Sequence, residues 1–265
     1  MQVSVIINCF NSELYINEAI KSVLNQTYKN FELIIFDNCS TDNTAKLINS
    51  FKDVRIKYFK SDKTYNLGKA RDLATKKSKN SWIAFIDSDD LWLSSKLSEQ
   101  VAYVKSNKNI GLVYTDFLYI DEVSHQLKKK SYTRFYDELT YKNLIKKNYI
   151  CFSSIIFNKE IIKTKNFFNP ILKNSEDYDL LLKIAQKNSL GYIKKKLVKY
   201  RVHESNLTKF QTKRSFSEWQ YLVYLYSDNH IKEKKKIKIK YRFEKLKIKL
   251  YSKYGLIQKF FSKIF

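Results

Sequence analysis

The chain has 265 residues, of which 50 are lysine or arginine and 26 are aspartate or glutamate, so its formal net charge is +24 at pH 7. With 44% apolar residues it can bury a sizeable core, which argues against intrinsic disorder. Only 4 glycines and 1 proline exclude collagen-like, linker-rich and repeat-loop classes of protein.

The first hundred residues alternate between two hydrophobic periodicities. Short apolar runs of strand length, rich in Val, Ile and Phe, cover residues 3–9, 31–36, 56–59 and 82–86. Apolar residues spaced by three and four between these runs predict helices near residues 16–23, 45–48, 67–74 and 94–107. Alternating strands and helices are typical of a mainly parallel sheet with helices on both faces, in which ligands bind beyond the carboxyl ends of the strands.

The pattern beyond residue 110 is less regular. It predicts strands at residues 111–119, 150–157 and 192–202, and helices at residues 176–188 and 215–227. The strand at 192–202 is rich in lysine, which suits an edge of the sheet.

Acidic residues follow two of the predicted strands. Asp87-Ser88-Asp89-Asp90 comes directly after the run at 82–86, and Asp37 follows the run at 31–36. Because the carboxyl ends of parallel strands share one edge of a sheet, we expect one site there. Carboxylates this close repel one another unless a cation is present, and oxygen ligands suit Mg²⁺ or Mn²⁺ shared with substrate phosphates. The alternative is a solvated acidic turn that caps the next helix.

Asp37 allows two interpretations as well. Its carboxylate can accept the imide N–H of uracil. Alternatively, the segment only caps the following helix. We expect Ser40, Thr41 and Asp42 to perform that capping, which would leave Asp37 free for a ligand.

Taken together, these motifs resemble those of family 2 glycosyltransferases, which have the GT-A fold. The segments that carry the resemblance in the first hundred residues are Val3-Ser4-Val5-Ile6-Ile7, Phe10-Asn11, Ser22-Val23-Leu24-Asn25-Gln26-Thr27-Tyr28, Phe31-Glu32-Leu33-Ile34-Ile35, Asp37-Asn38-Cys39-Ser40-Thr41-Asp42, Asn66-Leu67-Gly68 with Ala70-Arg71, and Phe85-Ile86-Asp87-Ser88-Asp89-Asp90. Two later islands are Ser175-Glu176-Asp177-Tyr178-Asp179 and Tyr200-Arg201-Val202-His203. Each motif alone is weak, but their order and spacing together are highly specific.

The resemblance implies an α/β GT-A fold, a mainly parallel Rossmann-like sheet flanked by helices. It implies a catalytic domain over residues 1–230, with a nucleotide-sugar-binding half at 1–109 and an acceptor half at 110–230. The implied reaction is transfer of a hexosyl or N-acetylhexosaminyl group from a nucleotide-diphosphate sugar, specifically a UDP-sugar, with inversion at the anomeric carbon.

The resemblance also gives roles to the residues that would surround the donor. Asp37 would bind the nucleobase, and Asp87 would lie near the ribose. The other donor-binding residues, with Gly68 and Arg71 placed beside the base or phosphates, would be Asn8, Phe10, Asn11, Gly68, Arg71, Ser88 and Arg201. Asn8 stands where the family usually has proline.

The resemblance places the metal ligands and the general base in the Asp87–Asp90 turn and in the two later islands. The resemblance implies that Asp89 binds Mn²⁺ or Mg²⁺, with His203 or Arg201 completing the contacts to metal and phosphate. Read alone, a histidine in such a position is more often structural than a ligand. Asp177 would be the general base that takes the proton of the acceptor hydroxyl. The alternative for Asp177 is a first-turn acid that a helix dipole favours.

The charge is distributed unevenly along the chain. Residues 1–100 carry a net +2, whereas residues 231–265 carry a net +11. From residue 239, apolar residues step by three or four between lysines and arginines, which predicts a basic amphipathic helical tail over 231–265. Such a tail attaches peripherally to an anionic membrane, packs on the catalytic domain, or binds nucleic acid. No nucleic-acid motif accompanies it, so we expect no nucleic-acid partner.

Cysteine usage and the start of the chain bear on location. Cys9, Cys39 and Cys151 form no CxxC pair, which fits a reducing, cytosolic setting. The first residues lack a signal-peptide pattern, and no stretch of ~18 apolar residues predicts a membrane span. We therefore expect a cytoplasmic enzyme, peripheral at the inner face of the plasma membrane.

The function that these expectations support is assembly of bacterial surface glycans such as capsule or lipopolysaccharide. The acceptor would be a glycan or a lipid-linked glycan. One rival is a nucleotidyltransferase, since a carboxylate metal site beside a nucleotide pocket serves both reactions. Another is a non-catalytic protein that binds sugar nucleotides or associates with nucleic acid.

Overall fold

The structure is a computed structural model that describes residues 1–129, 139–206 and 212–226. The chain divides into two units, Met1–Lys209 and Phe210–Phe265. In the second unit the described element is the helix Thr212–Tyr226, which agrees with the helix predicted at 215–227. The predicted tail at 231–265 lies outside the described residues.

The first half of the larger unit alternates strands and helices as the sequence predicts. In chain order its elements are β1 (Val3–Cys9), α1 (Ile16–Leu24), β2 (Phe31–Asp37), α2 (Thr44–Asn49), β3 (Ile56–Lys60), α3 (Leu67–Lys76), β4 (Trp82–Asp87), β5 (Leu91–Trp92) and α4 (Lys96–Ser106). The acceptor half contributes β6 (Ile110–Ile120), α5 (Tyr141–Leu144), β7 (Ile156–Asn158), α6 (Glu176–Ala185) and β8 (Ser189–Arg201). The helix Thr212–Tyr226 is α7.

The strands form one eight-stranded sheet in the order β3-β2-β1-β4-β7-β6-β8-β5. Parallel pairs join β3 to β2, β2 to β1, β1 to β4 and β6 to β8. Antiparallel pairs join β4 to β7, β7 to β6 and β8 to β5. The sheet is mixed but mostly parallel, which confirms the predicted α/β class.

The central strands are apolar on both faces because helices cover them. On β1, alternate residues from Val3 to Cys9 join the same buried cluster as the apolar stripe of α1. Ile16 and Ile20 of that stripe are fully buried. Burying such a side chain contributes about 1.5–3 kcal/mol. The opposite face of β1 carries Asn8 near its carboxyl end, beside Phe36 and Asp87 on the neighbouring strands.

Two local predictions for the acceptor half are wrong. Residues 150–157 do not form one strand, because a 3-10 turn at Phe152–Ser154 precedes β7. Within this turn the Ser153 hydroxyl donates to Asp90, and the Ser153 carbonyl accepts from Trp92 Nε1. The edge position predicted for the basic strand is wrong at Val198 and Lys199, where the two-residue β5 pairs with β8; this pairing does not extend to the rest of β8. β5 and α5 are too short for periodicity to reveal.

Candidate functional site

The predicted site residues of the first half meet at the carboxyl edge of three adjacent parallel strands. In the strand register Asn8 lies beside Asp87, and Cys9 lies beside Asp37. The two acidic clusters therefore share one edge of the sheet, as parallel pairing requires.

The loops after β1 and β2 are tied together. Asn11 donates its backbone N–H to Ser40 Oγ at 3.0 Å, and Asn11 Oδ1 accepts from the backbone N–H of Thr41 at 2.9 Å. Asn11 and Cys39 have positive φ angles of 48° and 69°. Asparagine adopts this conformation readily, whereas for Cys39 it costs about 1–2 kcal/mol. The exposed Phe10 lies on the same loop as Asn11, so this pair of loops shapes one wall of the site.

The predicted helix cap after β2 is corrected by the structure. α2 begins at Thr44, and of the three predicted capping residues only Asp42 accepts from a first-turn N–H, that of Thr44 at 3.0 Å. Ser40 and Thr41 bond to Asn11 instead. Their side chains serve the loop rather than the helix.

Asp37 is not free in this structure. It is fully buried, its Oδ1 accepts from the backbone N–H of Ser40 at 2.8 Å, and its Oδ2 accepts from the hydroxyl of Tyr58 at 2.7 Å. Burial and the neighbouring Asp37 raise the pKa of Tyr58, so its hydroxyl stays a donor. Asp37 thus fixes the loop, and a contact with the nucleobase stays a prediction.

Asn8 and Arg71 carry buried polar atoms that lack partners within the described part of the chain. These atoms are Nδ2 and Oδ1 of Asn8 and Nε of Arg71. Both side chains neighbour Asp87, Asn8 through the sheet register and Arg71 through an ion pair. Leaving such groups unpaired costs about 1–3 kcal/mol each, and the Asn8 carboxamide, with both of its polar atoms unpaired, marks a place where ligand atoms can bond.

Each carboxylate at the carboxyl end of β4 has its own partner. Asp87 Oδ1 accepts from Arg71 Nη2 at 2.7 Å, and Asp89 Oδ2 lies 2.9 Å from His203 Nε2. Asp90 is buried and accepts from Ser153 Oγ at 2.5 Å and from the Arg201 backbone N–H at 2.9 Å. Burial, followed by the charges of Asp89 and Asp87, raises the pKa of Asp90 well above its usual range. The chain continues into β5, so this turn does not cap a helix.

Asp89 and His203 are the pair best placed to hold a metal. Besides facing Asp89, His203 has its Nδ1 2.7 Å from Ser205 Oγ, and its ring lies 5.1 Å from that of Tyr15. A carboxylate oxygen beside an imidazole nitrogen fits a divalent ion that takes its other ligands from phosphates and water. No group of three or more His, Cys, Asp and Glu residues in the described ranges forms a complete cage. A divalent ion held by Asp89 and His203 would therefore need further ligands from outside this pair.

Arg201 does not have the phosphate-contacting position that the resemblance implies. Its side chain is fully buried, with Nε donating to the Asp89 carbonyl at 2.8 Å and Nη2 to Glu18 Oε2 at 3.0 Å. Its Nη1 donates to the turn after β6, reaching the carbonyl of Glu122 at 3.0 Å and Ser124 Oγ at 3.0 Å. Because every guanidinium nitrogen is bonded inside the protein, Arg201 fixes the Asp89 loop instead.

Asp177 lies in the first turn of α6, between two acids that form ion pairs. Glu176 pairs with Arg71 at 3.0 Å, and Asp179 pairs with Lys183 at 2.7 Å. Asp177 is half-buried, forms no ion pair among the residues that the structure describes, and accepts from the backbone N–H of Tyr178 at 2.6 Å. Burial raises the pKa of Asp177, Arg71 opposes that rise, and Asp87 adds to it. A half-buried carboxylate with a raised pKa suits a general base.

Gly68 permits close packing, and Ser88 forms a hydrogen bond between two loops of the site. A Cβ on Gly68 would lie 3.1 Å from Cβ and Cγ of Glu176, so the glycine permits the close contact between α3 and α6. Ser88 Oγ lies 2.9 Å from Ser12 Oγ, which joins the acidic turn to the loop after β1.

Comparison with known proteins identifies the family of the chain. A family model described as Glycosyl transferase family 2 matches residues 4–164. The chain belongs to glycosyl transferase family 2. This glycosyltransferase is 32% identical over 222 residues to the Escherichia coli UDP-Glc:alpha-D-GlcNAc-diphosphoundecaprenol beta-1,3-glucosyltransferase WfgD, with 83% of this chain and 85% of that protein covered.

Solved structures support the fold of the glycosyltransferase. S. aureus TarS 1–349 in complex with UDP-GlcNAc has a TM-score of 0.72 at 21% identity, with 87% of this chain and 68% of that chain covered. The mannosyltransferase PcManGT of Pyrobaculum calidifontis, in complex with GDP-Man and Mn²⁺, has a TM-score of 0.65 at 16% identity, with 89% and 67% covered. The predicted family, α/β GT-A fold and enzymatic class are confirmed, and both rival classes are set aside.

Sequence reasoning missed several residues that shape the glycosyltransferase site. Glu18 and Tyr15 hold the Arg201 guanidinium, the latter with its ring 4.5 Å away, and Ser153 holds Asp90. Glu176 was visible only as part of a motif, without its bond to Arg71. No local pattern signals these contacts, because each joins segments far apart in the chain.

Proposed function

We propose that this enzyme transfers a hexosyl or N-acetylhexosaminyl group from a UDP-sugar to a hydroxyl of a lipid-linked glycan, with inversion. The proposal rests on one observation: the carboxylate–imidazole pair of Asp89 and His203 lies beside Asp87, which Arg71 connects to the α6 turn bearing Asp177. The activity of the E. coli relative, a UDP-Glc:alpha-D-GlcNAc-diphosphoundecaprenol beta-1,3-glucosyltransferase, supports a UDP-hexose donor and a diphosphoundecaprenol-linked acceptor. Surface-polysaccharide assembly is the pathway class that uses such acceptors.

The donor would bind along the carboxyl edge of β1, β2 and β4. The unpaired carboxamide of Asn8 can donate to and accept from a uracil edge, close to the loop that Asp37 fixes. Asp87 can accept from a ribose hydroxyl while it remains bonded to Arg71. The tied loops that carry Phe10 and Asn11 would close the nucleobase end of this pocket.

Asp89 and His203 would hold a Mn²⁺ or Mg²⁺ ion against the donor diphosphate. When bound, such an ion supplies charge stabilisation to the leaving nucleotide diphosphate. Arg201 keeps the Asp89 backbone in place through its bond to the Asp89 carbonyl. The Mn²⁺ of the P. calidifontis neighbour supports a divalent metal for this fold.

Asp177 would accept the proton of the acceptor hydroxyl. As the O–H bond breaks, the oxygen forms a bond to the anomeric carbon from the face opposite the leaving group. The bond from that carbon to the diphosphate oxygen breaks, and its electron pair leaves with the nucleotide. A single displacement of this kind inverts the configuration, and a positioned base contributes about 10²–10⁴-fold to its rate.

Peripheral attachment to the cytoplasmic face of the membrane completes the proposal. Among the described helices none is long and apolar enough to cross a membrane. The net +11 charge of residues 231–265 supports binding to an anionic membrane surface. Deleting residues 231–265 should abolish sedimentation with anionic liposomes, whereas unchanged salt-sensitive binding would refute the attachment.

A panel of sugar nucleotides with Mn²⁺ or Mg²⁺ tests the proposed donor. Slow hydrolysis of a UDP-sugar by the wild-type protein, lost on removing the metal with a chelator, is the expected result. If no sugar nucleotide binds or is hydrolysed, the proposed donor class is wrong.

A further inference from the structure

The helix α3 joins the donor half of the sheet to the acceptor half. Its Asp72 accepts from the backbone N–H of Phe167 at 2.9 Å, and its N-cap residue Asn66 donates to the carbonyl of Pro170 at 3.4 Å. Both contacts fix the segment that leads into α6. Gly68 lies against Glu176, where even a methyl group would crowd the contact. α3 is therefore packed directly on the start of α6.

Arg71 is the charged centre of this contact. One Nη donates to Asp87 at 2.7 Å and the other to Glu176 at 3.0 Å, while the guanidinium lies 4.3 Å from the ring of Phe152. Only 4% of the Arg71 side chain is exposed. A planar guanidinium can bridge two carboxylates in this way, whereas an ammonium group cannot match both directions. The bridge joins the end of β4 to the first turn of α6.

We propose that Arg71 is a positioning residue, which holds the first turn of α6, and with it Asp177, against the donor-binding edge of the sheet. This inference rests on the proposed function. It replaces the role beside base or phosphates that the family resemblance implies for Arg71. Both terminal nitrogens of Arg71 bond to carboxylates of the protein, so the guanidinium acts on the reaction through Glu176 and the first turn of α6.

The electrostatics of Asp177 agree with this geometry. Among the charges around Asp177, Arg71 opposes the rise in pKa that burial causes, and Asp87 reinforces it. On its own helix Asp177 is flanked by Glu176 and Asp179, each held by a cation. Arg71 thus sets both the place of Asp177 and part of the balance between its protonated and ionised forms.

Two substitutions separate positioning from donor binding. Arg71→Lys keeps the charge but cannot bridge both carboxylates, and Glu176→Gln weakens the α6 end of the bridge without changing its size. We expect Arg71→Lys to lower kcat on the order of 100-fold, as misplacement of a reacting group by about 1 Å does. We expect about a 10-fold loss for Glu176→Gln, with the dissociation constant of UDP unchanged in both. Lys77→Gln, which removes an exposed cation just after α3, is the matched control and should retain wild-type kcat.

The double variant measures whether the effects of Arg71 and Glu176 on kcat are coupled. If both residues act through one bridge, Arg71→Lys with Glu176→Gln should lose no more kcat than Arg71→Lys alone. Full multiplication of the two losses overturns the inference. So does an Arg71→Lys variant that keeps kcat but binds UDP at least 10-fold more weakly, since that is the signature of a phosphate or base contact.

Thermal unfolding of each variant checks that it is folded. Should Arg71→Lys fail to fold, Glu176→Gln decides alone: a loss of kcat at unchanged UDP affinity supports the bridge, and wild-type kcat overturns it. Failure of the proposed function looks different, because the wild-type protein itself would then neither bind UDP nor turn over a UDP-sugar. That result overturns both proposals together.

Discussion

Replacing Asp177 by asparagine removes the proposed general base while keeping the local structure of α6. The backbone N–H of Tyr178 donates to Asp177 Oδ1, and the amide oxygen of asparagine can accept the same bond. Glu176 and Asp179, which hold the first turn through Arg71 and Lys183, are untouched. The substitution should therefore change the chemistry and leave the fold intact.

The size of the effect follows from the role and from the environment of Asp177. Loss of a general base lowers kcat by about 10²–10⁴-fold, or roughly 3–5 kcal/mol of activation free energy. Burial raises the pKa of Asp177, which makes its carboxylate a stronger base, so we expect a loss toward the upper end of this range. Donor affinity should not fall, because removing a negative charge near an anionic diphosphate does not weaken their attraction.

The assay compares kcat for sugar transfer with the dissociation constant of UDP measured by calorimetry. In the wild-type enzyme kcat should decrease as the pH falls through the raised pKa of Asp177, at a pH above the ordinary value of 3.8. Glu160→Gln, which removes an exposed carboxylate from the same half of the chain, should behave as wild type. An Asp177→Asn enzyme with wild-type kcat would refute the assignment.

Three further predictions concern the Asp89–His203 pair, the buried side chain of Arg201, and Glu32 near the amino-terminal end of β2. His203→Ala and Asp89→Asn should each weaken Mn²⁺ binding in the presence of UDP at least ~10-fold by electron paramagnetic resonance, and unchanged affinity in both would exclude them as ligands. Arg201→Met should lower the free energy of unfolding in urea by about 3 kcal/mol, because this fully buried side chain bonds the carbonyls of Asp89 and Glu122, which lose their donor; a loss below ~1 kcal/mol would contradict this. Glu32→Gln should cost about 1–3 kcal/mol near pH 7, since it accepts from Ser4, Lys57 and the Lys79 backbone. Burial opposes ionisation of Glu32, but these bonds outweigh it and lower its pKa below 4.5, so the cost should be present above pH 4.5 and shrink as the pH falls through the folded value. A cost that grows with acidity would contradict that sign.

The strands and helices of the donor half were predictable because their periodicity reflects burial on a covered parallel sheet. β1 begins and ends at the predicted residues, and the polar residues after β1, β2 and β4 share the predicted edge. The carboxyl ends of parallel strands lie at the same edge of a sheet. A local sequence pattern was therefore enough to place Asn8, Asp37 and Asp87 together.

Contacts between distant segments were not predictable from such patterns. Whether Asp37 is free depends on Tyr58 in another strand, and whether Arg201 reaches a phosphate depends on Glu18 in α1. The turn that interrupts residues 150–157 contains Ser153, which donates to Asp90 across 63 positions of the chain. Sequence motifs identify candidate site residues, whereas tertiary contacts decide which of these residues can reach a ligand.

The central claim is an inverting transfer that uses Asp177 as its base. Its most direct test is the anomeric configuration of the product, determined by nuclear magnetic resonance after incubating the full chain with an α-linked UDP-sugar, a divalent metal and a diphosphopolyprenol-linked GlcNAc acceptor. We predict a β-linked product from the wild-type enzyme and almost none from Asp177→Asn. An α-linked product, or equal product from the two proteins, would contradict the account.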